Sequence, residues 1–355
     1  MEIIPLFKPY MPVELPELEN IIHSGSLSYG RWGKTFESKL SEFVGEKKII
    51  TVNSYNSAML VALTVIGIKP GDEIIASPMS CLASNQPFVT LGATVIWADI
   101  DPYTGTLSPE SVRSKITAKT KAIFHNQFCG YLGYIDEINQ IGKEKGIIVV
   151  DDAIEAFGSE YKGKRMGNTG ADITVFSFQT VRLPNTIDGG ALAFKNKELF
   201  EKALLVRDYG IDRTNFRTAN GEINVACDIK MPGFGATLSE INSYIGCLQM
   251  DKIENLIQIQ RQNAIKWKKT INKKYASSTF LGDNNEKLPN YWVLGILNSD
   301  KYQLIEQFRH EGYYASSVHL PNNLYSVFGK KEELKGVEEF FSKYIALPCG
   351  WWFKK

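Results

Sequence analysis

The chain is expected to fold as an α/β protein, with a mostly parallel central sheet, helices on both faces and a smaller C-terminal α/β domain. Three observations lead there. Short apolar runs alternate with segments of helical spacing, glycine and proline punctuate the joints, and the pattern changes to one long helical stretch after Ser239. Runs with no polar alternation suit parallel strands that are buried on both sides.

Taken in order, a helical pattern over Phe36–Val44 leads into the apolar run Ile49–Val52. Ser57–Ile66 then reads as a helix, stopped by Gly67 and the Pro70-Gly71 turn. Strand-like runs follow at Glu73–Ala76, Thr94–Ala98, Ala122–Phe124 and Ile147–Val150, with helical spacing between them, as over Ile135–Lys145. Ile173–Phe178 and Ala191–Phe194 extend the same sheet. From Ser239 to about Tyr275, Ile241, Ile245, Leu248 and Leu256 mark a single, mostly uninterrupted connecting helix. Beyond Phe280 come a strand-like run at Tyr291–Leu297, a helix at Tyr302–Gly312 and a further strand at Tyr314–Val318. The expected division is 1–245 for a large cofactor-binding domain and 246–355 for the connecting helix and small domain. The apolar ending Cys349-Gly350-Trp351-Trp352-Phe353 suggests that a final helix is missing.

Bulk properties exclude several classes of function. Forty Lys and Arg against thirty-nine Asp and Glu leave a formal charge of +1, so there is no net field to attract nucleic acid or an anionic membrane. The start MEIIPLFKPYMP has no basic-then-apolar leader pattern, and no apolar stretch is long enough to span a bilayer, which points to a cytoplasmic location. The five cysteines (81, 129, 227, 247 and 349) are scattered and never spaced C-x-x-C, so they read as buried thiols rather than a disulfide framework or a zinc site.

Three local signals bear on chemistry. Val149-Val150-Asp151-Asp152-Ala153 is an apolar strand ending in two carboxylates, the end at which open parallel sheets bind ligands; a solvated strand end or a helix cap is the plainer reading. Phe176-Ser177-Phe178-Gln179-Thr180-Val181-Arg182 places a serine at another strand end, with Asp188-Gly189-Gly190 after it. A hydroxyl there can hold a phosphate oxygen, although Gly-Gly by itself is more often a turn. Asn53-Ser54-Tyr55-Asn56-Ser57 precedes a helix, where free backbone N–H groups and the dipole favour phosphate, or where the small polar residues merely cap.

Together with Ile4-Pro5-Leu6-Phe7-Lys8-Pro9, Gly67-Ile68-Lys69-Pro70-Gly71-Asp72-Glu73, Ser77-Pro78-Met79-Ser80-Cys81, Arg207-Asp208-Tyr209-Gly210-Ile211-Asp212-Arg213 and Val318-His319, these segments give the chain a resemblance over nearly its whole length. It resembles the DegT/DnrJ/EryC1/StrS family of nucleotide-sugar aminotransferases. That resemblance implies an aspartate-aminotransferase-like fold (PLP fold type I) with pyridoxal phosphate or pyridoxamine phosphate as cofactor. It further implies a nucleotide-sugar substrate and a homodimer with sites at the subunit interface. Asp152 matches the acid that keeps the pyridine nitrogen protonated. Ser177 matches a phosphate-binding hydroxyl, Ser54, Tyr55 and Asn56 fall in the phosphate cradle, and Cys81 falls where many relatives stack an aromatic ring and the branch resembled here often has cysteine. His319 matches a family histidine near the substrate; no histidine is nominated as a metal ligand.

The departures from the family pattern are specific. The catalytic lysine aligns with Arg182, and no lysine stands between Lys164 and Lys195. Arginine keeps its proton at neutral pH, so it can neither attack an aldehyde nor serve as a base, and any cofactor bound here is expected to be non-covalent. Nor does Arg182 imitate the histidine that replaces lysine in dehydratase relatives. Bulky Tyr55 stands in the cradle where the family has a small residue, and Glu155 stands where Gln or His meets the cofactor's phenolic oxygen. Glu155 and Arg182 are expected to form an ion pair across the cofactor's space. Several readings follow: an aminotransferase-family enzyme acting on a keto-sugar, a lysine-independent pyridoxamine-phosphate enzyme, or a degenerate homologue. The last would bind a nucleotide-sugar or complete a paralogue's dimer. An engineered replacement at Arg182 is a further reading, although the unusual Leu183-Pro184-Asn185 beside it favours natural divergence.

Overall fold

The computed structural model of the chain describes residues 3–282 and 284–353. Five strands come first: β1 (Ile49–Val52), β2 (Glu73–Ala76), β3 (Thr94–Trp97), β4 (Thr120–Asn126) and β5 (Ile148–Asp152). A short hairpin, β6 (Glu160–Tyr161) and β7 (Lys164–Arg165), precedes β8 (Ile173–Ser177) and β9 (Gly190–Phe194). Seven of these make the central sheet in the order β1-β9-β8-β5-β4-β2-β3. The β2–β3, β2–β4, β4–β5 and β5–β8 pairs are parallel, and β9 alone runs against its neighbours β8 and β1. Strands β1, β8 and β9 are buried throughout, as their unalternating apolar sequences require.

The helices form where capping and stop residues lie. Ser54 caps helix Tyr55–Ile66 by accepting from the Ser57 N–H, and Gly67 ends it in the left-handed conformation at φ 82°, which a residue with a Cβ adopts only at a cost. The long connecting helix is two helices instead: Glu240–Met250 and Ile253–Lys274, broken at Asp251-Lys252. Periodicity alone did not reveal this break, because apolar residues continue across it. The 245/246 boundary falls inside the first of the two.

The C-terminal part holds β10 (Thr279–Phe280), β11 (Lys287–Leu288), β12 (Leu294–Leu297) and β13 (Tyr344–Leu347), with helices Lys301–His310 and Lys335–Lys343. Strands β10, β12 and β13 form an antiparallel sheet, while β11 reaches across to pair with β6 of the large part. The expected strand at Tyr314–Val318 is reduced to single bridges, Tyr313 with Ile4 and Ser316 with Ala346, so the segment ties the termini together rather than extending a sheet. Of the cysteines, 129, 247 and 349 are buried, 81 and 227 are half-buried, and all five are free.

Gly133 lies where the loop after β4 returns against that strand. A Cβ there would stand 2.3 Å from His125 Nε2 and 2.8 Å from Thr106 Oγ1. Both neighbours are buried, so Gly133→Ala is expected to cost about 2 kcal/mol through overpacking, read as a lowered denaturant midpoint.

Candidate functional site

The carboxyl ends of β5 and β8 lie side by side, and the helix that follows β1 starts against them. Asp152, the last residue of β5, is 1% exposed. Its Oδ1 accepts from the Tyr55 hydroxyl at 2.7 Å and its Oδ2 from Asn126 Nδ2 at 2.8 Å. The Tyr55 hydroxyl also lies 3.1 Å from Ser84 Oγ. Burial pushes the Asp152 carboxyl above the usual carboxylate range, against the hydrogen bonds from Ser84, Tyr55 and Asn126. Burial and the Asp152 charge push the Tyr55 phenol well above its ordinary value, so Tyr55 keeps its proton and is the donor.

Glu155 follows in the loop after β5 and collects three donors. Oε1 accepts from Arg182 Nη1 at 3.2 Å and faces His319 Nε2 at 2.8 Å, and Oε2 accepts from the Cys129 N–H at 2.8 Å. Burial alone would raise the Glu155 carboxyl; the charges of His319 and Arg182 overcome it and bring the group down to about 2. The Arg182 guanidinium lies 4.4 Å over the Trp292 ring, which stacks at 4.2 Å on Phe7 and donates from Nε1 to the Val181 carbonyl. The ion pair expected between Glu155 and Arg182 is therefore present. It is clamped by an aromatic stack and a histidine for which the sequence offered no spacing signal.

The remaining candidates are less centrally placed. Ser54 is half-buried, and its side chain is used by Ser57. Asn56 is exposed. Cys81 precedes helix Leu82–Thr90, half-buried, its thiol pushed up by burial and then by the Glu155 charge. Ser177 is 3% exposed, with Oγ accepting from the Gln179 N–H at 3.4 Å. Asn290 was not legible beforehand: its Nδ2 donates to the Glu155 and Phe157 carbonyls and so holds the Glu155 loop. The cavity lined by Glu155, Ser177, Arg182, Leu183, Asn290 and Trp292 measures about 10 Å³, room for roughly one water.

Ligand atoms of Cys129, Glu155 and His319 lie within 4.8 Å of one another. Two features oppose a metal there. Arg182 already supplies the cation on Glu155, and burial and Glu155 push the Cys129 thiol well above its ordinary value, away from the thiolate a metal needs.

A model of the DegT/DnrJ/EryC1/StrS aminotransferase family matches residues 12–354. The spore coat polysaccharide biosynthesis protein SpsC of Bacillus subtilis (strain 168) is 26% identical over 361 residues, covering 96% of this chain and 92% of that protein. The crystal structure of AtS13 from Actinomadura melliaura superimposes with a TM-score of 0.92 at 27% identity, covering 100% of this chain and 96% of the other. The putative sugar aminotransferase Spr1654 from Streptococcus pneumoniae, solved in a PLP form, shares the fold with a TM-score of 0.89 at 22% identity, over 99% and 95% of the two chains.

Proposed function

The chain belongs to the DegT/DnrJ/EryC1/StrS aminotransferase family, and from that premise we propose that it is a non-transaminating member serving amino-sugar synthesis for polysaccharide as the partner of a lysine-bearing relative. The observation that carries the proposal is the buried ion pair between Arg182 and Glu155 at 3.2 Å, with Arg182 assigned by the resemblance to the family lysine's position. A guanidinium held by a carboxylate and an aromatic face has no free amine to offer a carbonyl.

The family's cofactor is pyridoxal phosphate or its pyridoxamine form, and the residues present do not fit it. Asp152, assigned to the pyridine nitrogen, already accepts from Tyr55 and Asn126, and the buried Tyr55 ring lies between it and the helix start assigned to the phosphate. Family members act on nucleotide-sugars and are typically dimeric, and the fold retained from end to end is what a subunit role requires. Ile223 and Val225, 59% and 100% exposed, support that role as apolar surface for a second chain to cover. Among the described residues no helix is long and apolar enough to cross a membrane, and we place the chain's work in the cytoplasm.

The test is co-expression with a lysine-bearing paralogue. The purified chain alone is expected to be colourless and inactive with glutamate and a nucleotide-linked keto-sugar, while the mixed pair is isolated as a heterodimer by native mass spectrometry. Amino transfer by this chain alone would overturn the reading.

A further inference from the structure

Tyr55 occupies both ends of the space that the family cofactor would span. Its backbone is the first residue of helix Tyr55–Ile66, the helix start assigned to the phosphate, and its hydroxyl rests 2.7 Å from Asp152, the acid assigned to the ring nitrogen. The ring between those two points is 5% exposed and belongs to the main apolar core. We infer that Tyr55 is a built-in occupant of the ring-binding space, its phenol O–H donating to Asp152 as a protonated pyridine nitrogen would.

This inference rests on the assignment of the family cofactor's place. It goes further than the loss of lysine, because it makes the block steric and local to one residue. It also explains why a buried acid survives in a site without its cofactor. An Asp152 with nothing opposite would carry the cost of an unpaired buried polar group, and the Tyr55 and Asn126 donors remove that cost. Ser84, at 3.1 Å from the same hydroxyl, fixes the ring's orientation. Arg182 and Glu155 close the other side independently, without contacting Tyr55 through any hydrogen bond in the structure. Two separable obstacles follow, one to binding and one to covalent attachment.

The experiment titrates pyridoxal phosphate and pyridoxamine phosphate into wild type, Arg182→Lys, Tyr55→Ser and the double variant Tyr55→Ser/Arg182→Lys. Binding is followed by cofactor absorbance, borohydride fixation and melting temperature. Wild type and Arg182→Lys are expected to take up neither compound. Tyr55→Ser is expected to gain reversible binding, seen as a ligand-dependent rise in its melting temperature. The double variant is expected to gain near-stoichiometric borohydride-fixed cofactor. Tyr55→Val, which keeps more of the packing, replaces Tyr55→Ser if the latter does not fold. Uptake by wild type overturns the inference with no variant needed. Fixation in Arg182→Lys alone also overturns it, while leaving the non-transaminating reading of wild type intact. A folded Tyr55 variant that binds neither compound overturns it as well.

Discussion

Glu155→Gln is expected to destabilise the protein by about 3 kcal/mol at neutral pH, because the amide leaves a buried guanidinium without its counter-charge. Arg182 is 8% exposed and its Nε has no partner among the described residues, of which Glu155 and the Trp292 face compensate its charge in the folded state. The same substitution removes the carboxylate that faces His319 and accepts from the Cys129 N–H. The measurement is a denaturant midpoint for Glu155→Gln, Arg182→Met and the pair together. The double variant is expected to recover part of the loss, since removing both charges leaves neither stranded. An unchanged midpoint in Glu155→Gln would mean that the pair contributes nothing.

Acid dependence gives a second view of the same group. The Glu155 carboxyl is held at about 2 in the folded state against 4.5 ordinarily. A depressed folded value means that the stabilisation is fully present above about 4.5 and is lost as pH falls toward 2. At ~1.36 kcal/mol per pH unit the gap corresponds to roughly 3 kcal/mol, the same order as the expected mutational loss. Wild type should therefore lose stability between pH 4.5 and 2 more steeply than Glu155→Gln, measured as midpoint against pH.

Glu240→Ala is expected to cost a similar amount, about 3 kcal/mol, for a structural reason separate from the ion pair. Helix Arg31–Val44 starts at Gly30, which has no side chain to cap it. The Glu240 carboxylate does so from another helix, accepting from the N–H groups of Gly30 at 2.9 Å and of Trp32 and Gly33 at 3.0 Å. Alanine would orphan three donors at the positive end of a helix, at about 1 kcal/mol each. Glu240→Gln keeps one acceptor and should lose about a third as much. Amide exchange at Gly30, Trp32 and Gly33 would localise the effect, accelerating in both variants but more in alanine.

Much of this was legible in the order of residues. Apolar runs with no alternation marked β1 to β5, β8 and β9, because a strand buried on both faces favours such a run, whereas the short hairpin β6–β7, with Lys164–Arg165 as its second strand, carries no such signal. The resemblance assigned Glu155 and Arg182 to one site and so led to the expectation that they pair, since an acid and a cation closed into one site leave each other stranded otherwise. That Tyr55 is bulky for the cradle position the resemblance assigns it was legible as an expectation. Where its ring would go was not: Asp152 lies 97 residues away, and nothing in the sequence between them states the distance. The break at Asp251-Lys252 and the loss of the strand at Tyr314–Val318 were hidden for a related reason. Both depend on what packs or bonds against the segment rather than on its own periodicity.

By itself, then, the sequence determined the α/β alternation and the strand-end acids, because each is a property of residue type or local spacing. Only the tertiary structure decided that Tyr55 reaches Asp152, that Trp292 and His319 close around the Arg182–Glu155 pair, and that Glu240 caps a helix remote from it in sequence. Those contacts join residues that folding alone brings within hydrogen-bonding range, where distance and the exclusion of water set their strength.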